Sequence, residues 1–273
     1  VLQTFSNQIA LAISNARLVQ QRIDLEAKIY QSEKLNSLGL LATSMAHEIK
    51  NPLSSIKTII QVLQENAQGE ERQDLNIVVN EIDRLNGVIN KLLGFARPSE
   101  ASKSLFNVQE VIDDALGLLY HHAGKKGVQI HLHVDSELPP VYASKQNFRE
   151  VIFNLLMNAI QSMPAGGDIN LRLAVTVSPA LQASLTNITT ANAEKWIEID
   201  IEDRGYGIKK EVLDHLFEPF FSTKSLGTGL GLVIVNRNLE EMNAGLLITS
   251  EEKKGTQVKI YLPEGIAEES MEK

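Results

Sequence analysis

The chain is 273 residues long, carries 26 Lys and Arg against 34 Asp and Glu for a formal net charge of −8, and has no cysteine. That length allows two modest domains, each with its own core. The acidic balance, without a dense Lys/Arg stripe, argues against nucleic acid as the main partner, and the missing cysteines exclude disulfides and thiolate metal sites, as fits a reducing, cytoplasmic setting. No apolar run approaches the roughly 20 residues needed to cross a bilayer, and no signal peptide is visible. The pattern is already under way at Val1, so a fragment is expected, with any membrane attachment in upstream regions.

Residues 1–66 read as one nearly unbroken helical pattern. Ile9, Ala12, Ala16, Val19 and Ile23 follow steps of three and four, as in a coiled-coil seam; Leu25 and Ile29 continue on a shifted stripe, a stutter. Such a stem either transmits a signal or only dimerises. Further along, Leu38, Leu41, Ala42, Met45, Leu53, Ile56, Ile59, Ile60 and Leu63 mark the buried stripe of an amphipathic helix.

Inside this stripe stands Ser44-Met45-Ala46-His47-Glu48-Ile49-Lys50-Asn51-Pro52-Leu53. On a helix His47 and Asn51 share a face, and Glu48 lies about 100° round the axis. Pro52 cannot donate to the carbonyl of Glu48, so a bend is expected there. An imidazole, an adjacent carboxylate and an amide are thus grouped beside a distortion. Taken alone, such a histidine is more often a satisfied surface or core residue than a nucleophile. His121, His122, His131, His133 and His215 have no comparable surroundings; His131 and His133 alternate with apolar residues, as on the wet side of a strand.

Asn66 to Glu71 is a polar break containing Gly69, and a second amphipathic helix is expected from Gln73 to Phe95. The two helices make an antiparallel hairpin that cannot cover its own apolar stripe. Two such hairpins can, as a four-helix bundle, so a homodimer is expected.

Arg97 to Ser104 reads as a linker. Beyond it the pattern predicts helices at Val108–His122, Lys145–Met163 and Gly229–Asn243. Strands are expected at Val128–Val134, Asp168–Val177 and Trp196–Glu202, with a closing hairpin of Gly245–Ser250 and Gly255–Leu262. This is an α+β sandwich with helices on one face of a mixed sheet. Ser178 to Glu194 reads as a polar insertion without recognisable chemistry.

Four constellations in this part point to a nucleotide. Glu150, Asn154 and Asn158 recur every four residues and project from one side of a helix; such oxygen-bearing side chains suit a hydrated Mg²⁺ bridging phosphates, or else form a solvated polar stripe. Asp203-Arg204-Gly205-Tyr206-Gly207 ends a strand with a carboxylate able to accept from an exocyclic amine such as adenine's; in isolation a simple Asp-x-Gly turn is the favoured reading. Phe217-Glu218-Pro219-Phe220-Phe221-Ser222-Thr223-Lys224 offers a hydrophobic clamp for a lid and, in Lys224, a cation for phosphate; a local apolar cluster is the plainer alternative. Gly227-Thr228-Gly229-Leu230-Gly231 opens a helix whose amino end is a ready anion site.

From about residue 33 to 263 the chain resembles the catalytic core of sensor histidine kinases, with the H, N, G1, F and G2 boxes all in order. The stretch His47-Glu48-Ile49-Lys50-Asn51-Pro52 resembles the H box of nitrogen-regulator-like kinases, and residues 2–18 resemble the last helix of GAF sensory domains. The resemblance implies a helical hairpin forming a dimeric four-helix bundle, then an α+β Bergerat-type (GHKL) ATP-binding sandwich, behind an N-terminal coiled-coil helix. The divisions expected are 1–32 for the signalling helix, 33–98 for dimerisation and phosphotransfer, 99–104 for the linker, 105–265 for the ATP-binding domain and 266–273 for a tail. By the same resemblance His47 is the phosphoacceptor, Glu48 its acid/base partner, and Asn51 orients a water in dephosphorylation. Asn154 binds Mg²⁺, Asp203 takes the adenine amine, and Gly205, Gly207, Gly229 and Gly231 surround the nucleotide. Glu150, Asn158, Lys224, Thr228 and Leu230 complete the expected ATP site, and the partner is a response regulator carrying an acceptor aspartate. Two departures stand out: Asn243-Ala244-Gly245 where the family usually has His-Gly-Gly, and Arg204 and Tyr206 in the G1 box. A kinase-inactive ATP-binding scaffold and a GHKL-type ATPase are the rival functions.

Overall fold

The computed structural model describes residues 49–96, 102–177, 195–224 and 227–265, together with Asn15, Leu18, Val19 and Arg22. The coiled-coil seam, His47, Glu48, most of the Arg97–Ser104 linker and the 178–194 insertion lie outside these residues. The chain divides into two compact units, Val1–Pro98 and Ser99–Lys273.

In the first unit, α1 (helical over residues 49–66) and α2 (Gly69–Ala96) are joined through Ala67 and Gln68. The chain stays helical through Pro52. Lys57 pairs with Asp83, and Gln64 Nε2 donates to Asn76 Oδ1 at 2.9 Å. Seven residues forward along α1 are therefore matched by seven back along α2, an antiparallel hairpin. Within one chain the apolar stripe is largely uncovered: Ile56, Ile59, Leu63, Val78 and Leu85 are exposed, and among the described side chains of this unit only Ala67, Ile82 and Ile89 are buried. Two helices have one mutual seam, which is too narrow for an apolar arc of this width.

The second unit opens with β1 (Ser104–Phe106), which pairs antiparallel with β3 (Val141–Ala143) in a small sheet of its own. Both strands are missing from the sequence expectation, and Ser104, expected in the linker, already pairs with Ala143. Three-residue strands are too short to show an alternation. The helices are α3 (Val108–Lys125), α4 (Lys145–Ser162), the short α5 (Lys210–Leu213) and α6 (Gly231–Glu241). Asn107 caps α3 and Ser144 caps α4, each accepting a backbone N–H from the first turn. The main sheet takes β2 (Val128–Val134), β4 (Gly167–Thr176), β5 (Trp196–Asp203), β6 (Gly245–Glu251) and β7 (Gly255–Pro263) in the order β2-β4-β5-β7-β6. Only β2 and β4 run parallel.

Alternation sets the two faces of the sheet. Ile169, Leu171 and Leu173 of β4 and Ile197, Ile199 and Ile201 of β5 are buried, in one core with Ile112, Leu116, Phe148, Ile152, Leu156, Val235 and Leu239 of the helices. Glu198, Asp200 and Lys259 form ion pairs on the other face. His131 and His133 are exposed, as the alternation requires. Several boundaries differ from the sequence expectation: α2 begins at Gly69 rather than Gln73, inside the expected polar break, α3 runs to Lys125 rather than His122, and two further differences bear on the site. β5 runs on to Asp203, which pairs with both Ile169 and Thr256. α6 begins at Gly231, because Gly229 sits at φ +66°, outside helical space. Asn243, where the related pattern has histidine, closes the far end of α6 at φ 52°, a left-handed position that asparagine tolerates.

Candidate nucleotide site

One side of α4 organises the second unit, turn by turn. Glu150 Oε2 accepts from Asn238 Nδ2 of α6 at 3.1 Å. One turn on, Asn154 Nδ2 donates to the Glu150 carbonyl at 3.0 Å, while its Oδ1 lies 3.7 Å from where a Cβ on Gly231 would stand. Next, Asn158 Oδ1 accepts from Lys224 Nζ at 3.3 Å. Last, Ser162 Oγ donates to Asp203 Oδ1 at 3.0 Å. Four successive turns thus face α6, the glycine-rich loop, the phenylalanine-rich loop and the end of β5.

The Asp203 end is buried and closely fitted. Asp203 is 7% exposed, and its Oδ1 also accepts from the Gly205 N–H at 2.8 Å. The Asp-x-Gly turn is therefore present, and the same carboxylate is tied to α4 as well. Burial pushes the Asp203 carboxyl above its usual range; the Gly205 N–H, the Ser162 hydroxyl, the Thr256 N–H and the Lys224 charge oppose that shift. A Cβ on Gly205 would fall on the Ser162 hydroxyl, so only glycine permits this approach. Gly207 lies against the Glu251 carbonyl, and the exposed Tyr206 is anchored by its N–H to the Ser162 carbonyl at 3.2 Å.

At the other end Gly229, in a left-handed conformation, packs on the Phe220–Phe221 backbone, and the Leu230 N–H reaches Thr228 Oγ1 at 3.5 Å. Leu230 itself is buried, so it contributes backbone rather than side chain. Lys224 Nζ also donates to Gln161 Oε1 at 2.9 Å. Burial lowers the Lys224 ammonium below its usual range, and the neighbouring charge of Lys126 adds to this while Asp203 resists it. Phe217 packs on the core, whereas Phe220 is 53% exposed at φ 67°.

The structure brings Asn154, Asn158, Asp203, Gly205, Lys224 and Gly231 together on one side of α4, with Thr228, Gly229 and Leu230 in the loop that leads into Gly231, while Gly207 lies instead against the Glu251–Glu252 backbone. It turns Glu150 toward α6 instead, with its carboxylate engaged by Asn238. Asn51 is exposed on α1, where its carbonyl accepts from Ser55 Oγ at 3.2 Å. Ser162, Gln161 and Asn238 are additional to the sequence expectation. The signal for Ser162 was present, since it continues the four-residue spacing one turn beyond Asn158; Gln161 and Asn238 carried none. No group of three or more His, Cys, Asp or Glu able to hold a metal exists among the described residues. Asn154 has the donor chemistry for Mg²⁺: its amide nitrogen is spent on the helix, which leaves a hard oxygen turned toward Gly231.

Comparison with known proteins covers both units. Residues 37–101 match the family model of the His Kinase A (phospho-acceptor) domain. Residues 143–266 match that of the histidine kinase-, DNA gyrase B- and HSP90-like ATPase. Sporulation kinase E of Bacillus subtilis (strain 168) is 33% identical over 245 residues, 90% of this chain and 31% of that protein. Sensor histidine kinase ZraS of Escherichia coli (strain K12) is 32% identical over 252 residues, 92% of this chain and 50% of that protein. The crystal structure of histidine kinase ThkA in complex with response regulator protein TrrA has a TM-score of 0.56 and 21% identity, covering 85% of this chain and 64% of that chain, a likeness of fold. The chain spans about a third to a half of the length of these curated relatives. No described helix is long and apolar enough to cross a membrane.

Proposed function

The chain belongs to the histidine kinases as their catalytic core, and on that premise we propose that it autophosphorylates His47 from Mg-ATP and passes the phosphoryl group to an aspartate of a response regulator. The observation that carries the ATP half is the ladder on α4. Asn154 to Ser162 spans eight residues, about 12 Å, which suits a nucleotide lying along the helix. The adenine amine donates to Asp203, held by Ser162 and the Gly205 N–H; the phosphates reach the amino end of α6 at Thr228 to Gly231. Asn154 offers its oxygen to Mg²⁺, whose chemistry is to neutralise charge on the phosphates. Lys224, bonded to Asn158 and Gln161, supplies a cation for the same purpose.

His47 then attacks the γ-phosphorus in line as a neutral imidazole while the bond from that phosphorus to the β–γ bridging oxygen breaks and ADP leaves, and Glu48 accepts from the other ring nitrogen, favouring the reactive tautomer. Such transfers ask mainly for positioning and charge stabilisation. Asn51, four residues after His47 in the sequence, orients water in the reverse, dephosphorylating reaction. The exposed apolar stripe of α1 and α2 is covered by a second copy in a four-helix bundle. The segment around residues 99–104 links the hairpin to the ATP-binding unit, and dependence on ATP sets the reaction in the cytoplasm.

The test is incubation of the chain with γ-labelled ATP and Mg²⁺. The parent gains an acid-labile label, and His47→Gln gains none. A label persisting in His47→Gln, or steady ATP hydrolysis without any label, would sink the proposal.

A further inference from the structure

The seam between α4 and α6 holds two amides among apolar side chains. Asn147 and Asn238 are each 5% exposed. Every other buried residue of α6 is apolar, and in α4 only Ser162 is a further polar one. A buried amide is destabilising unless bonded. Here Asn147 Nδ2 donates to Glu241 Oε2 at 2.8 Å, and Asn238 Nδ2 donates to Glu150 Oε2 at 3.1 Å. The pairs are reciprocal, each helix giving one amide and one carboxylate. Three residues forward on α4 are matched by three back on α6, so both bonds close in one antiparallel register. Arg237 Nε, 3.2 Å from Glu241 Oε1, steadies the second carboxylate.

Apolar contacts alone tolerate small slips, whereas these bonds do not. Sliding α6 by one residue, about 1.5 Å, would draw both amides off their partners. That register also decides what faces Asn154, because the first residue of α6 is Gly231. The N–H groups without helical partners are at that end.

We propose that the Asn147–Glu241 and Glu150–Asn238 pairs form a register clamp that sets the amino end of α6 against Asn154, making Asn238 a positioning residue for the phosphates of ATP. It acts from seven residues away, about 10 Å along the helix. The inference rests on the ATP-binding reading above, and it gives Glu150 the task of holding α6 rather than touching the nucleotide.

Asn238→Asp sets a carboxylate against Glu150, and adding Glu150→Gln restores a donor and an acceptor with polarity reversed. With the full chain, Asn238→Asp should raise both the Kd and the KM for Mg-ATP at least fivefold, with kcat at saturating ATP within twofold of the parent. The double variant should recover most of that loss. Glu150 is exposed, so Glu150→Ala spares the core and serves as a second route to the same rise. Parent-like ATP affinity in Asn238→Asp and Glu150→Ala, a double variant as weak as the single one, or a fall in kcat without a rise in KM overturns the clamp. A parent that does not bind ATP, or Asp203→Asn binding as the parent does, overturns the ATP-binding reading and the clamp together.

Discussion

Ser162 and Asp203, 41 residues apart in the chain, meet where the last turn of α4 reaches the end of β5, and Ser162 Oγ donates to Asp203 Oδ1 at 3.0 Å. The Gly205 and Thr256 N–H groups add to this bond, and together they oppose the burial that pushes the carboxyl above its usual range. Ser162→Ala removes one donor and leaves the carboxylate less well aimed. A buried hydrogen bond is worth about 1 kcal/mol, so ATP affinity should fall about fivefold. Titration calorimetry of the two chains checks it; equal affinities would remove Ser162 from the site.

The raised Asp203 carboxyl makes a claim about stability and pH. Its folded form keeps a proton to higher pH than the unfolded chain does, so the folded state binds more protons in between. The contribution of this group is therefore greatest below the ordinary aspartate range and is lost as pH rises through the shifted value. Asp203→Asn escapes the loss. As pH rises above the ordinary aspartate range the stability difference should move steadily in favour of the variant, while ATP binding is lost. Denaturant melts across that range test the sign, and a difference independent of pH would contradict it.

Gly229 and Gly231 should respond very differently to alanine. Gly229 stands at φ +66° with its missing Cβ aimed at the Phe220–Phe221 backbone, so Gly229→Ala carries left-handed strain of about 1–2 kcal/mol plus a backbone collision. At Gly231 the nearest atom is Asn154 Oδ1 at 3.7 Å, an ordinary contact, and alanine favours a helix. Gly229→Ala is expected to weaken ATP binding about tenfold or more and Gly231→Ala about threefold or less. Fluorescent ATP-analogue titrations give both numbers.

On the hairpin, apolar area should matter more than ion pairs. Ile59 is 60% exposed in the single chain, and a charge there cannot sit in the core of the proposed bundle. The proposed dimer should be seen in light scattering of the parent, and Ile59→Glu should convert it to monomer. Asp83→Ala, which removes the half-exposed partner of Lys57, should cost about 1 kcal/mol or less and leave the dimer intact. A dimer unaffected by Ile59→Glu would place the interface elsewhere.

If Asn51 has the proposed role, Asn51→Ala should slow dephosphorylation of the regulator about tenfold or more, by the loss of one polar group to orient water. The decay of labelled regulator in the presence of each variant measures this directly. Decay at the parental rate would remove Asn51 from the reaction.

What the sequence determined alone is whatever is local. Steps of three and four marked α2, α3, α4 and α6 to within a few residues, alternation marked β2, β4, β5 and the closing hairpin, and the spacing of Glu150, Asn154 and Asn158 put them on one side of a helix. Periodicity reports which way a side chain points relative to its own element, and nothing about what waits there. Only the tertiary structure decided that Glu150 would be taken by Asn238, Asn158 by Lys224, and Asp203 by a serine 41 residues earlier. Those partners come from how α4, α6 and β5 pack over a shared core, and pairs so distant in the chain leave no period to read. The same holds for β1 and β3, three residues each, which exist because they find one another.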